Sequence, residues 1–219
     1  MIPSRPLKAV IYDLDGTLVD SAVTVTDIIN MMRREMALPP VAVEFIRPLT
    51  SLGGRQLILA ALGCDALEVD GHLEEFRQRY KAAEIEPDTL FADVKETLNG
   101  LQAKGIATAI CTNKPRQLAE LTLRSVGING YFPELICDGE AVRNKPAPDP
   151  LNELMARLSV HPGEAVYVGD TRTDFEAANA ADIDFLYFDS GYDVDLAVAI
   201  SKDKMLSRHV DILSYMNQF

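Results

Sequence analysis

The sequence has few cysteines, and those it has are poorly placed to pair. Its 219 residues include three, Cys64, Cys111 and Cys137, which are far apart and form no Cys-x-x-Cys motif. An odd number of scattered cysteines argues against a disulfide framework or a zinc site, so a reducing cytoplasm is the expected location.

Basic residues and long apolar runs are also scarce. Only 21 Lys and Arg stand against 33 Asp and Glu, a net charge of −12, which disfavours a nucleic-acid or membrane-surface partner. No apolar run approaches the roughly 18 residues of a membrane helix, and the first residues lack the apolar core of a signal peptide. With 47% apolar and 25% charged residues, the chain is expected to form one globular domain, or one domain with an insert. Its oligomeric state stays open.

Acidic residues are concentrated near one end of the chain. Between Glu164 and Asp195 there are nine acids and one base, Arg172. This window is expected to be solvated surface or to bind a cation.

Short apolar runs alternate with helical patterns along most of the chain. This alternation predicts right-handed β-α-β units, and so an α/β fold with a doubly wound, Rossmann-like parallel sheet. In such sheets ligands bind beyond the carboxyl ends of the strands. The predicted strands are 8–13, 106–111, 134–137, 165–169 and 183–188; the predicted helices are 94–104, 115–126, 150–158 and 173–181, and 209–219 is expected to form an edge strand plus a helix.

A stretch of about 70 residues interrupts this alternation. Between Asp20 and Asp88 no run resembles a strand. Asp20 and Ser21 are suited to cap a helix that Pro39 and Pro40 end, and helical patterns resume at 55–62 and 73–83. We therefore expect a helical cap domain at 20–88 and a Rossmann-like core at 1–19 and 89–219.

The first predicted strand ends in Asp13-Leu-Asp15-Gly16-Thr17. Two carboxylates two residues apart project in the same general direction from a strand end. Gly16 lets the chain turn and brings backbone N–H groups close to a ligand, and Thr17 adds a hydroxyl donor.

A second acid pair, Asp170 and Asp174, follows the predicted strand 165–169. If the two strands are near neighbours, four carboxylates converge, and like charges that close require a cation. Oxygen ligands without nearby His or Cys favour Mg²⁺, which shares its remaining positions with water and phosphate.

Candidate phosphate ligands follow other predicted elements. Thr112 and Asn113 end the strand 106–111, near a helix start that Pro115 marks, and a helix N-terminus favours an anion. Lys145 lies in a proline-rich stretch where its charge would offset the carboxylates and stabilise a phosphoryl group.

In their order, Asp13-Leu-Asp-Gly-Thr-Leu-Val-Asp-Ser21, Thr112-Asn113, Lys145-Pro and Gly169-Asp-Thr-Arg-Thr-Asp174 resemble the four motifs of the haloacid dehalogenase-like hydrolases. The resemblance covers essentially the whole chain. It is similar to the phosphoglycolate phosphatase-like group, whose small helical cap follows the first motif.

This resemblance implies a Mg²⁺-dependent phosphatase that acts on a small phosphorylated metabolite. Asp13 would be the nucleophile that forms an aspartyl-phosphate, and Asp15 the general acid and base. Thr112 and Lys145 would hold the transferred phosphoryl group, with Gly16, Thr17 and Asn113 also at the phosphate. Mg²⁺ would be held by Asp13, by the backbone carbonyl of Asp15 and by Asp170, with Asp174 in support.

The substrate itself stays open: phosphoglycolate, pyrophosphate, a sugar phosphate or a nucleotide all fit these motifs. The glycine-containing loop 50–55 resembles the family's substrate-specificity loop, and its Arg55 is expected to meet a substrate carboxylate or phosphate. Sugar phosphomutases of the same family typically have His where this chain has Val25. A pyrophosphatase, or a non-catalytic phosphate-binding or receiver-like protein, is a further alternative.

Overall fold

A computed structural model of the chain describes residues 6–216. In this range a six-stranded sheet has the order β3-β2-β1-β4-β5-β6, and all neighbouring strands are parallel. The expected α/β fold is confirmed, and β1 to β5 lie at the predicted positions. The strands are β1 (Ala9–Tyr12), β2 (Ala107–Cys111), β3 (Glu134–Ile136), β4 (Ala165–Gly169), β5 (Asp184–Phe188) and β6 (Met205–Leu206).

Five helices lie between β1 and β2, and the first four occupy the stretch in which the sequence has no strand-like run. The helices are α1 (Ala22–Glu35), α2 (Val43–Thr50), α3 (Gly54–Leu62), α4 (Val69–Ala82), α5 (Val94–Ala103), α6 (Arg116–Ser125), α7 (Asp149–Leu158), α8 (Arg172–Ala180) and α9 (Asp211–Tyr215). Short 3-10 turns occur at Pro87–Thr89, Asn129–Tyr131, Pro162–Glu164, Val194–Ala199 and Lys202–Lys204.

Two elements differ from the sequence predictions. Helix α2 was not predicted, because it has only eight residues and contains Pro48, which usually marks a helix end. The prediction of an edge strand within 209–219 is wrong. Strand β6 precedes that range, and α9 is the regular element in the described residues 209–216. Residues 217–219 of the prediction lie outside the described residues.

Both faces of the sheet are buried. In β1, Val10 and Tyr12 face one apolar cluster that contains residues of α5 and α6, and Ala9 and Ile11 face a second that contains residues of α7 and α8. This is why the strands are nearly continuous apolar runs rather than alternating ones, as in parallel sheets covered by helices on both sides.

The segment with α1 to α4 leaves and rejoins the sheet region at one place. The outgoing chain at Val19 forms an antiparallel bridge with the returning chain at Leu90. The Asp20 amide donates to the Thr89 carbonyl at 2.8 Å. Farther out, the Tyr80 hydroxyl on α4 lies 3.2 Å from the Thr122 hydroxyl on α6. The division into a core and a cap at 20–88 stays a prediction. Within residues 6–216, none of the helices combines the length and apolarity needed to cross a membrane.

Candidate active site

The carboxyl ends of β1, β2 and β4 are neighbours at one edge of the sheet. Strand β1 pairs with β2 on one side and with β4 on the other, so the residues that follow all three strands converge. Asp13, Thr112 and Asp170 are among these residues, and each is buried. The site therefore lies where the strand order reverses, the usual ligand position in open α/β sheets.

Three buried carboxylates form the centre of the site. Asp13, Asp170 and Asp174 each place one carboxylate oxygen within 4.8 Å of the others. Burial, together with the neighbouring carboxylates, raises the pKa of Asp13 to about 7, although Lys145 opposes the shift. The same two causes raise the pKa of Asp170 well above its usual range. The site accumulates negative charge that the protein does not fully compensate.

Lys145 supplies one positive charge to this cluster. Its Nζ lies 2.9 Å from Asp13 Oδ1 and 2.7 Å from Asp174 Oδ1. It also donates to the Tyr167 hydroxyl at 2.8 Å, and that hydroxyl lies 2.7 Å from the same Asp174 oxygen. Lys145 is thus held in place from the side of Asp174 and Tyr167, and its ammonium faces Asp13.

Asp174 is saturated with hydrogen-bond donors. While Lys145 and Tyr167 occupy Oδ1, the Thr171 hydroxyl and amide donate to Oδ2 at 2.7 and 3.1 Å. Burial raises the pKa of Asp174, but the Lys145 charge and these hydrogen bonds together outweigh burial and bring the pKa below its usual range. Asp174 is therefore the ionised anchor of Lys145, and its oxygens are already engaged.

Asp170 is fixed by a tight backbone environment. Its Oδ1 accepts from the Thr17 hydroxyl at 2.7 Å, and its Oδ2 accepts from the Tyr192 amide at 2.8 Å. Gly16 and Gly191 pack so closely that an added Cβ on either would collide with the Asp170 carboxylate. At Gly16 the φ of +83° also requires glycine.

The donor set fits a hard divalent cation. Asp13 Oδ1 is buried and, despite its ion pair with Lys145, receives no hydrogen bond of acceptable geometry. Three carboxylates with a single lysine leave excess negative charge that a cation would neutralise, and no His or Cys belongs to the cluster. Asp13 and Asp170 are the better-placed ligands, because Asp170 accepts one hydrogen bond on each carboxylate oxygen whereas Asp174 accepts two on each.

Asp15 lies beside this cluster rather than in it. Its Oδ1 accepts from the Ser21 hydroxyl at 2.5 Å and from Lys114 Nζ at 2.8 Å. Ser21 occupies the N-cap position of α1 but makes no capping bond, because its hydroxyl is turned to Asp15. Burial lowers the pKa of Lys114, but the charges and hydrogen bonds of Asp15 and Tyr80 together outweigh burial, and the net shift is upward.

The other predicted phosphate ligands lie close by, in varied roles. The Gly16 amide donates to the Val19 carbonyl at 2.9 Å and so closes a turn. Thr112 Oγ1 accepts from the Lys114 amide at 3.2 Å, and the Asn113 side chain donates to the Lys145 carbonyl at 3.1 Å. Thr112 and Asn113 line a small cavity together with Asp13, Asp15 and Lys145.

The comparisons with known proteins agree with this geometry. A sequence profile described as haloacid dehalogenase-like hydrolase matches residues 10–188. The chain belongs to the haloacid dehalogenase-like hydrolases. It is 34% identical to a protein named phosphoglycolate phosphatase from Yersinia pestis, over 97% of this chain and 94% of the relative. It is 32% identical to a protein named N-acetylmuramic acid 6-phosphate phosphatase from Pseudomonas aeruginosa, over 80% and 78%.

Solved structures give the same result for this hydrolase. A crystal structure described as a predicted phosphoglycolate phosphatase from Haemophilus somnus superposes with a TM-score of 0.84 at 25% identity, and the match covers 95% of this chain and 97% of that one. The family and fold predicted from the four motifs are confirmed.

Arg55 is not brought into the site of this hydrolase. It is exposed, its guanidinium forms an ion pair with Asp70, and it donates to the Ala66 carbonyl at 3.1 Å. Glycines 53 and 54 of the same loop line the cavity next to Asp15, but Arg55 does not. Its substrate contact stays a prediction.

Sequence reasoning assigned no role to three residues of this hydrolase site. Lys114 directly follows Thr112-Asn113, and its position after a strand end was a usable signal. Tyr192 likewise follows a strand, but its amide reaches Asp170 only through the loop conformation. Tyr167 lies inside an apolar strand, where nothing in the sequence distinguishes a hydroxyl that meets Lys145 from a core tyrosine.

Proposed function

We propose that this chain hydrolyses a small phosphate monoester through an aspartyl-phosphate on Asp13. The phosphatase prediction is confirmed by the family and the named relatives. The observation that carries the mechanism is the buried Asp13 carboxylate, which faces Lys145 and two further carboxylates at the switch point of the sheet.

The proposed metal is Mg²⁺, and the residues at the site fit it. The carboxylates of Asp13 and Asp170 and the backbone carbonyl of Asp15 would hold it, with Asp174 in support through Lys145. Bound there, Mg²⁺ supplies charge neutralisation for a phosphoryl group that approaches a buried carboxylate.

In the first half-reaction an Asp13 carboxylate oxygen attacks phosphorus, and the bond from phosphorus to the leaving oxygen breaks. Asp15 gives its proton to that oxygen, so the alcohol leaves neutral. Lys145 and the Thr112 hydroxyl face the phosphoryl oxygens and stabilise their charge, with Asn113 beside them.

In the second half-reaction Asp15 accepts a proton from water as the water attacks the phosphorus of the aspartyl-phosphate. The acyl phosphate bond breaks, inorganic phosphate leaves, and Asp13 returns to its carboxylate form. Val25 presents an apolar side chain to the neighbouring cavity, which favours hydrolysis over the phosphomutase alternative.

A phosphoglycolate-like ester is the proposed substrate. One named relative acts on phosphoglycolate and another on N-acetylmuramic acid 6-phosphate, and both of these compounds carry a carboxylate besides the phosphate. The net charge of −12 supports a small-molecule substrate rather than nucleic acid. Three cysteines that form no disulfide support a cytoplasmic location.

Phosphate release from 2-phosphoglycolate tests the proposal. We expect turnover with Mg²⁺, none with EDTA, and at least about a 10³-fold loss in Asp13→Asn, which removes the nucleophile. Acid quenching followed by peptide mass spectrometry should find one phosphate on the Asp13 peptide. Turnover by Asp13→Asn at the wild-type rate would show that Asp13 is not the nucleophile.

A further inference from the structure

A second, mostly apolar cavity adjoins the catalytic cluster. It has a volume of about 50 Å³ and lies between the segment with α1 to α4 and the sheet region. Asp15, Thr50, Asn113 and Lys114 line both this cavity and the one that contains Asp13. The apolar lining is formed by Val25, Leu57, Phe76, Tyr80 and Leu118.

Lys114 is the cationic side chain of this cavity among its described lining residues. Its side chain is only 7% exposed, and its Nζ lies 2.8 Å from Asp15 Oδ1 and 4.4 Å from the centre of the Tyr80 ring. An ammonium has three donors: Asp15 accepts one of them, and Tyr80 engages the same ammonium. One donor therefore remains for a ligand.

The reaction geometry orients a substrate along these two cavities. The phosphoryl group must reach Asp13, and the leaving oxygen must reach Asp15, which stands at their junction. The atoms attached to that oxygen then extend towards the apolar side chains and Lys114. A small cavity favours a short group there, and a buried cation favours an anionic one.

We propose that Lys114 binds a carboxylate on the alcohol part of the substrate, and that the chain thereby selects phosphate esters of short hydroxy acids. The inference rests on the proposed function, since it assigns the leaving-group end of the same site. The inference assigns substrate specificity to Lys114 instead of Arg55, because the Arg55 guanidinium is engaged by Asp70 outside the cavity.

A neutral analogue of the substrate provides the test. We compare kcat/KM for 2-phosphoglycolate with that for phosphoglycolamide, which has the same shape but no carboxylate charge. The kcat/KM of the wild type should be about 100-fold higher for the acid, because the amide leaves the buried Lys114 charge without an anionic partner. In Lys114→Met the preference should fall to about 1, mainly through a higher KM for the acid.

Two controls separate specificity from other effects. Arg55→Met should keep the wild-type preference, because Arg55 lies outside the cavity. Glycolate should inhibit the wild type competitively, and Lys114→Met should raise its inhibition constant. The wild-type measurement needs no variant to fold, so equal turnover of the two esters by the wild type refutes the inference even if Lys114→Met is unstable.

Failure of the Lys114 role and failure of the proposed phosphatase function give different results. If the wild type hydrolyses both esters equally well, the role of Lys114 is refuted while the phosphatase function stands. If Lys114→Met loses the same factor on both esters, Lys114 only positions Asp15, and the inference is overturned. If the wild type with Mg²⁺ releases phosphate from neither ester nor from any other small monoester, the proposed function itself fails.

Discussion

His209 should make the folded protein sensitive to mild acid. Its ring is 1% exposed, stacks on Phe188 with 4.3 Å between ring centres, and places Nε2 2.8 Å from the Thr17 carbonyl. Burial lowers the pKa of His209 from 6.5 to about 4, and the weaker opposing effects of Thr17 and Asp93 do not restore it. The folded state therefore holds the ring neutral and donates its N–H to Thr17.

The sign and size of the effect follow from the two pKa values. The unfolded chain binds the proton near pH 6.5 and the folded chain only near pH 4, so protons favour unfolding between these limits. The stabilisation is complete above about pH 6.5 and is lost as the pH falls towards 4. At 1.36 kcal/mol per unit, the loss reaches about 2 kcal/mol at about pH 5 and about 3 kcal/mol below both values.

Urea unfolding of wild type and His209→Gln at about pH 7.5 and about pH 5 measures this term. Glutamine keeps an N–H donor for the Thr17 carbonyl but does not titrate. Between the two pH values the wild type should lose about 2 kcal/mol more than the variant. Asp13 and other carboxylates titrate in both proteins and cancel in the difference. Equal losses would show that His209 is not held neutral in the fold.

Three further predictions concern the catalytic cluster. Gly191→Ala should lower Mg²⁺-dependent activity and reduce the free energy of unfolding by about 1–3 kcal/mol, because the new methyl would lie 2.6 Å from Asp170 Oδ2. In the control Gly130→Ala the new methyl meets nothing within 4 Å, so neither activity nor the urea midpoint should change. Lys145→Met should lower the free energy of unfolding of the metal-free protein by about 3–5 kcal/mol at about pH 8, measured in urea, because it leaves buried carboxylates without their cation. The control Lys202→Met, at an exposed lysine, should have little effect. A difference between the two variants that persists when the carboxylates are protonated would refute the electrostatic cause. Mg²⁺ affinity measured by calorimetry should fall about tenfold per pH unit below about pH 7, because the metal must displace the proton from Asp13. A Mg²⁺ affinity that stays constant from about pH 8 to 6 would contradict this.

The parallel sheet was predictable because its strands carry their own signals. Strands β1, β2, β4 and β5 are short apolar runs, and three of the four motifs stand directly after one. The expectation that Asp13 and Asp170 meet followed from the rule for open α/β sheets, and the pairing of β1 with β4 brings them together.

Other features depended on packing that local patterns do not encode. Ser21 reads as a helix cap, but its hydroxyl serves Asp15, because the chain turns between Asp15 and α1. Arg55 reads as a substrate ligand from its loop, yet Asp70, fifteen residues later, binds its guanidinium. Helix α2 carries Pro48, so its existence rests on tertiary contacts rather than on propensity.

The sequence by itself determined the fold class, the order of the motifs and the chemistry of the central carboxylates, since these depend on residue types at strand ends. Only the tertiary structure decided which charges pair. Asp174 holds Lys145 towards Asp13, and Lys114 joins Asp15 at the edge of an apolar cavity. These pairs join residues up to 132 positions apart, Lys145 and Asp13, and such distances are closed only when the strands assemble and exclude water from the charges between them.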